Sequence, residues 1–136
     1  MLQRFVLAAI ALTVSACGTS KSDAKLLDET LNQYASTLRW GEPDQLLGFI
    51  DPDTLKDTPV RPIDLERLRQ VRVAGWRAQP PAMISDKRAR QIAQVDLVNI
   101  NTQKVRSAVE VSDWRWDATA KRWWLVSGLP RFEAPR

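Results

Sequence analysis

The chain has no histidine and a single cysteine among its 136 residues. Without imidazole, and with at most one thiol, zinc and other nitrogen- or sulfur-ligated metal sites are nearly excluded. A serine activated by a histidine base is excluded on the same ground. One cysteine forms no intramolecular disulfide, so no covalent cross-link staples the fold. Glycine is scarce, with five residues and no cluster, which leaves no loop to cradle a phosphate. There is no Gly-x-Ser-x-Gly, no His-Glu-x-x-His, no internal repeat, no low-complexity segment and no block of like charges. No cofactor and no metal are expected, and nothing in the composition supplies a convincing catalytic set.

What is present starts at the first residues. Met1 to Arg4 carries one positive charge, and Phe5 to Val14 is a ten-residue run whose one polar member is Thr13. Val14-Ser15-Ala16-Cys17 closes the run with small residues. This order describes an export signal. A membrane span needs about 18 apolar residues or more, so this run is too short to be one. The Val-Ser-Ala-Cys end resembles the bacterial lipobox. That resemblance implies removal of residues 1–16 and acylation of Cys17, as a diacylglyceryl thioether plus an acyl group on the new amino terminus. Several acyl chains, at about 0.8 kcal/mol per buried methylene, give a stable anchor in membrane lipid. The following Gly18, where inner-membrane lipoproteins often carry aspartate, implies the periplasmic side of the outer membrane. The plainer alternative is a stray cysteine inside an ordinary signal peptide.

Residues 17–22 then read as a lipidated tether. The five residues after Cys17 reach at most about 18 Å, which keeps the domain close to the bilayer. Removing residues 1–16 leaves 120 residues, and the formal +4 becomes +3 with the loss of Arg4. That is one domain with a modest core. The positive balance is spread along the chain, and for an exported protein it argues for no nucleic-acid partner. An envelope protein or glycan is the expected partner.

Residues 23–130 are expected to form that domain, with 131–136 as a tail. Leu27, Leu31, Tyr34, Ala35 and Leu38 make one apolar stripe, which predicts a principal helix over 23–40. Pro43 starts a shorter helix that stops at Asp51-Pro52. Residues 51–62 read as irregular, and 63–69 as one or two helical turns. The period then changes to two, predicting strands over 70–78, 90–100, 104–117 and 121–127, the last three as a meander of hairpins. In the third strand Val105, Val109 and Val111 alternate with Arg106 and Glu110, so the valines are expected inward and Glu110 outward. Helices first and antiparallel strands after them make an α+β domain: an N-terminal helix, with one or two short ones, packed on a curved antiparallel sheet of about four strands.

That order of elements resembles NTF2-like domains, in which a curved sheet wraps the first helix. A cystatin-like sheet on a helix is the close alternative. The segment from Trp114 to Pro130 is also similar to small proteobacterial lipoproteins of unassigned function.

Two groups of residues are candidates for function. Four of the six tryptophans, Trp114, Trp116, Trp123 and Trp124, lie on one predicted hairpin with Arg115 and Arg122. They read either as a binding surface of stacking indoles or as core and cross-strand pairs. The NTF2-like resemblance adds the second group. Ketosteroid isomerases of that fold set a tyrosine beside carboxylic acids in an apolar cavity, which points to Tyr34, the one tyrosine, with Asp96 and Asp113. The plainer reading of Tyr34 is a core residue with a satisfied hydroxyl.

Overall fold

The computed structural model describes residues 22–132. Helix α1 spans Asp23–Trp40 and starts where Ser22 caps it, the Ser22 hydroxyl accepting the Lys25 N–H at 3.3 Å. A 3-10 helix, η1, follows at Pro43–Phe49, then α2 at Pro52–Asp57 and α3 at Pro62–Arg69. All three of these short elements begin on a proline, whose fixed φ and missing N–H suit a first helical position. The segment 51–62 was expected to be irregular and instead contains α2. Asp51 makes that helix possible by accepting the Asp53 N–H at 2.9 Å.

The remaining chain forms an open antiparallel sheet of five strands: β1 (Val71–Ala78), β2 (Ala82–Ser85), β3 (Arg88–Asn99), β4 (Val105–Asp117) and β5 (Arg122–Leu125). The order is β1-β3-β4-β5, with β2 beside β1 on the same edge of β3. β3, β4 and β5 are consecutive hairpins, as the sequence pattern predicts. β1 contains a bulge between Val73 and Gly75. A Cβ at Gly75 would come within 2.5 Å of the Asp96 carboxylate, so any other residue there requires that carboxylate to shift.

The helices cover one face of the sheet. Leu27, Leu31 and Tyr34 of α1 are buried against Leu46, Ile50, Ala89, Trp114, Trp123 and Leu125. A second cluster, Val73, Ala93, Val95, Leu97 and Ala108, continues the inner face and is closed by Leu38 and Phe132. The residues inward from β3 and β4 include Ala89, Ala93, Ala108 and Ser112, all small. Small side chains let a helix lie close to the sheet, while Trp114 fills the volume beside it. This requirement sets the parity of β4 against expectation. Ala108, Glu110, Ser112 and Trp114 point inward, and Val105 and Val111 are exposed on the outer face. Among the described residues no helix is long and apolar enough to cross a membrane.

Candidate functional site

Reversing the parity of β4 moves Glu110 from the expected solvent face into the core, where it is 1 % exposed. The Tyr34 hydroxyl, fully buried on α1, donates to Glu110 Oε1 at 2.9 Å. The other carboxyl oxygen, Oε2, is buried with no hydrogen-bond partner among the described residues. Burial is the main cause that pushes the Glu110 carboxyl up from 4.5 to about 7, with the Asp113 charge adding to it and the Tyr34 hydrogen bond opposing it. Burial, and then the nearby Glu110 charge, hold Tyr34 well above the ordinary tyrosine range. Aromatic rings surround the pair. Tyr34 meets Phe49, Trp76 and Trp114 edge-on, with centroids 5.6, 6.4 and 5.2 Å away. The chain thus holds a tyrosine and a carboxyl together in an apolar interior, but the carboxyl is Glu110. The signal for it in the sequence was indirect: Glu110 shares its parity with Trp114, a residue too large to leave in water.

Asp96 and Asp113 do not join Tyr34. Both lie on the outer face of the sheet in fork-like pairs with arginine. Arg77 donates to Asp96 at 2.8 and 3.1 Å, and Arg90 to Asp113 at 2.7 and 3.1 Å. Arg77, with help from the Ser107 hydroxyl, holds the Asp96 carboxyl below the usual carboxylate range. The pocket grouping of Tyr34, Asp96 and Asp113 is therefore corrected to Tyr34 with Glu110.

The tryptophan hairpin divides between core and surface. Trp114 and Trp123 are buried, at 0 % and 1 % exposure, so neither can belong to a binding surface. Their polar edges are satisfied inside the protein. Trp114 Nε1 donates to Ser112 Oγ at 2.9 Å, and Trp123 Nε1 to the Asp23 carbonyl at 2.8 Å, tying the hairpin to the start of α1. Trp116 packs on Trp123 with centroids 5.5 Å apart. Trp124 lies under the Arg122 guanidinium, 3.5 Å from its centroid, and donates to Asp117. Arg122 also donates to the Gly48 carbonyl at 3.0 Å. The tryptophan that is exposed is Trp40, at 76 %, at the far end of α1.

Arg115 is committed to the fold as well. It forms an ion pair with Asp51 at 2.7 Å, and that carboxylate is 4 % exposed. Arg115→Met leaves Asp51 buried without its counter-ion, although the Asp53 N–H remains. A loss of about 2 kcal/mol is expected in urea unfolding. An unchanged midpoint would remove Arg115 from the structural account.

The concave surface lies elsewhere. A groove of about 780 Å³ runs between α2, α3 and the segment 126–132. Leu55, Val60, Leu68, Leu129 and Phe132 line it, together with Arg61, Arg67, Arg106 and Arg131. Asp64 is the single carboxylate among its described lining residues, and Arg61 holds it at 2.8 Å. The groove therefore joins apolar walls to an excess of positive charge. A second groove of about 730 Å³ mixes Asp51, Asp53, Asp57 and Asp113 with Arg88, Arg90 and Arg115. A third, of about 500 Å³, includes Trp40 and Arg39. Tyr34 and Glu110 line none of these three grooves. Sequence reasoning did not find the first groove, because its walls come from four separate segments. Cys17, the rest of 17–21 and residues 133–136 lie outside the described residues. Compared with family models, curated proteins and solved structures, the chain matches none.

Proposed function

We propose that this chain is an exported bacterial lipoprotein whose acylated Cys17 anchors it at the periplasmic side of the outer membrane. Its domain, NTF2-like or cystatin-like in its order of elements, works there as a non-catalytic binding or assembly module. The observation that carries the binding role is the groove between α2, α3 and residues 126–132, with apolar walls and an arginine rim. Apolar walls supply binding energy, and a few charged groups on the rim set which ligand fits. The four arginines favour an acidic segment of an envelope protein or an anionic glycan over a neutral one.

The test is a pull-down from detergent-solubilised envelope with the natively processed protein, a Cys17→Ala control and the pair R67E/R106E. One partner enriched by the native protein, lost with Cys17→Ala and lost with the charge reversal, is the expected result. Enrichment that survives the charge reversal would move binding away from the groove. No enrichment at all would defeat the assembly role.

A second reading, a small-molecule pocket with Tyr34 in its wall, possesses one supporting observation. Glu110 Oε2 is buried and without a hydrogen-bond partner among the described residues beside the Tyr34 hydroxyl, the polar pair onto which such a pocket would have to open. A ligand screen by thermal shift, run on the native chain and on Tyr34→Phe, tests it. A compound that stabilises only the native chain favours this reading, and no differential compound removes it.

A further inference from the structure

The groove between α2, α3 and residues 126–132 favours one class of acidic partner over another. Its apolar wall is aliphatic: Leu55, Val60, Leu68 and Leu129 present rounded side chains, and Phe132 is the one ring among the described lining residues. Those residues include no asparagine, glutamine or glutamate. The Asp64 carboxylate is already taken by Arg61, through bonds of 2.8 and 3.0 Å. Sugar rings are held by flat aromatic faces and by planar amides and carboxylates that match their hydroxyls. The groove is poor in both. Aliphatic side chains of a peptide, in contrast, bury well against leucine and valine.

The positive charge of the rim is largely uncompensated. Arg67 stands 3.8 Å from Asp64, behind Arg61, and its side chain is 71 % exposed. Arg106 reaches the Phe132 carbonyl at 3.5 Å, too long for a strong hydrogen bond. Arg131 has no partner among the described residues. Three guanidinium groups are thus available to carboxylates, which they bind in a fork.

One wall also offers main chain. β5 ends at Leu125, and the Val126 N–H donates to the Asp113 carbonyl. From Ser127 to Phe132 no main-chain N–H makes a hydrogen bond among the described residues, and only Pro130 has none to give. A peptide laid along this wall can accept those bonds in place of water. Successive side chains of an extended peptide point to opposite sides, so one set can enter the apolar wall while the other reaches the rim. A free acyl chain fits less well, because a groove covers one side of its occupant and leaves the other side in water.

We propose that this groove binds an acidic peptide segment of alternating carboxylate and aliphatic side chains, with its carboxylates on Arg67, Arg106 and Arg131. The proposal rests on the binding role given above and names its partner. The test follows the anisotropy of a fluorescein-labelled peptide of alternating glutamate and leucine. The natively processed full chain is held in zwitterionic nanodiscs, with empty nanodiscs as the blank. Saturable binding that weakens with salt is expected. Peptides of lysine with leucine, or glutamate with serine, should bind about tenfold more weakly or worse. R67E/R106E should lose about tenfold or more. If circular dichroism shows that pair unfolded, Arg131→Glu on the same rim should give a similar loss. Amide exchange should slow at Leu129 and Arg131 when the peptide is bound.

Equal binding of the glutamate–serine peptide, or indifference to a folded rim variant, overturns the proposal. Binding of oligogalacturonate or laurate without binding of the peptide overturns it in favour of a glycan or an acyl chain. Peptide binding that appears only after deletion of residues 133–136 overturns it too, because the chain's own tail would then be the occupant. A groove that takes no probe overturns it as well, and the envelope pull-down separates two cases. A partner still lost with R67E/R106E would leave the binding role standing, and an empty pull-down would remove both.

Discussion

Raising the pH from 4.5 to above 7 is expected to cost this protein about 3 kcal/mol of stability, and Glu110→Gln is expected to abolish that loss. The sign follows from burial. The folded state holds the Glu110 proton up to about pH 7, whereas an unfolded chain releases it near the ordinary value of 4.5. Between those values unfolding releases a proton, so each rise in pH favours the unfolded chain. The contribution is complete below 4.5, declines through the window and is gone above 7. Two titratable groups act on Glu110: Tyr34 from α1 and Asp113 from its own strand. Tyr34 stays protonated throughout the window, since its own value is raised well above 10. Asp64 and Asp96, paired with arginine, and Asp117, held by the Ala120 N–H and the Trp124 indole, have lowered values and act with the opposite sign, at pH below 3.8 and outside the window. Glutamine keeps an oxygen for the Tyr34 hydroxyl and carries no charge at any pH. Urea unfolding of both proteins from pH 4.5 to 8 decides the matter: a falling line for the native chain and a flat one for Glu110→Gln are expected. Two parallel lines would show that Glu110 ionises freely in the folded state.

The residue that controls this behaviour was hidden in the sequence, although most of the fold around it was not. The stripe of Leu27, Leu31 and Tyr34 announced α1, and the polar breaks at 101–103 and 118–120 separated the strands of the meander. Strand parity was harder to read. Val105, Val109 and Val111 alternate cleanly, and β-branched residues suit a pleated surface whether or not that surface is buried. They mark β4 as a strand and say nothing about which face meets the helix. The discriminating feature was the opposite set, Ala108, Ser112 and Trp114. Its small members admit α1, and its large one fills the space beside Tyr34. A single strand cannot reveal this, because the need for small residues arises only once a helix crosses the sheet. α2 was obscured by Pro52 and Pro59, which suggest irregular chain unless Pro52 is taken as a first helical residue. β2, four exposed residues at an edge, has no hydrophobic alternation to find. The groove could not be read either, since residues from Ile50 to Phe132 converge on it.

Replacing Trp114 with alanine is expected to cost about 4 kcal/mol, the largest effect of any single truncation considered for this chain. Trp114 is 0 % exposed and sits where α1, η1 and the sheet meet. It packs edge-on against Tyr34 and Phe49, with centroids 5.2 and 6.3 Å away, and its indole N–H is held by Ser112. Truncation opens a cavity that small neighbours such as Ala89 cannot fill, and it leaves the buried Ser112 hydroxyl without its donor. A domain of this size has about 5–15 kcal/mol in total, so the variant should unfold early in a urea titration. Trp40→Ala provides the contrast. That side chain is 76 % exposed, and its one ring contact is the Arg39 guanidinium at 5.0 Å, so about 0.5 kcal/mol or less is expected. Comparing the two variants separates a residue that holds the fold from one that only faces solvent. Similar midpoints for both would mean that the core is not organised around Trp114. A large loss confined to Trp114→Ala would establish that the tryptophan hairpin serves the fold first. Any binding by that hairpin would then have to come from its half-exposed members, Trp116 and Trp124.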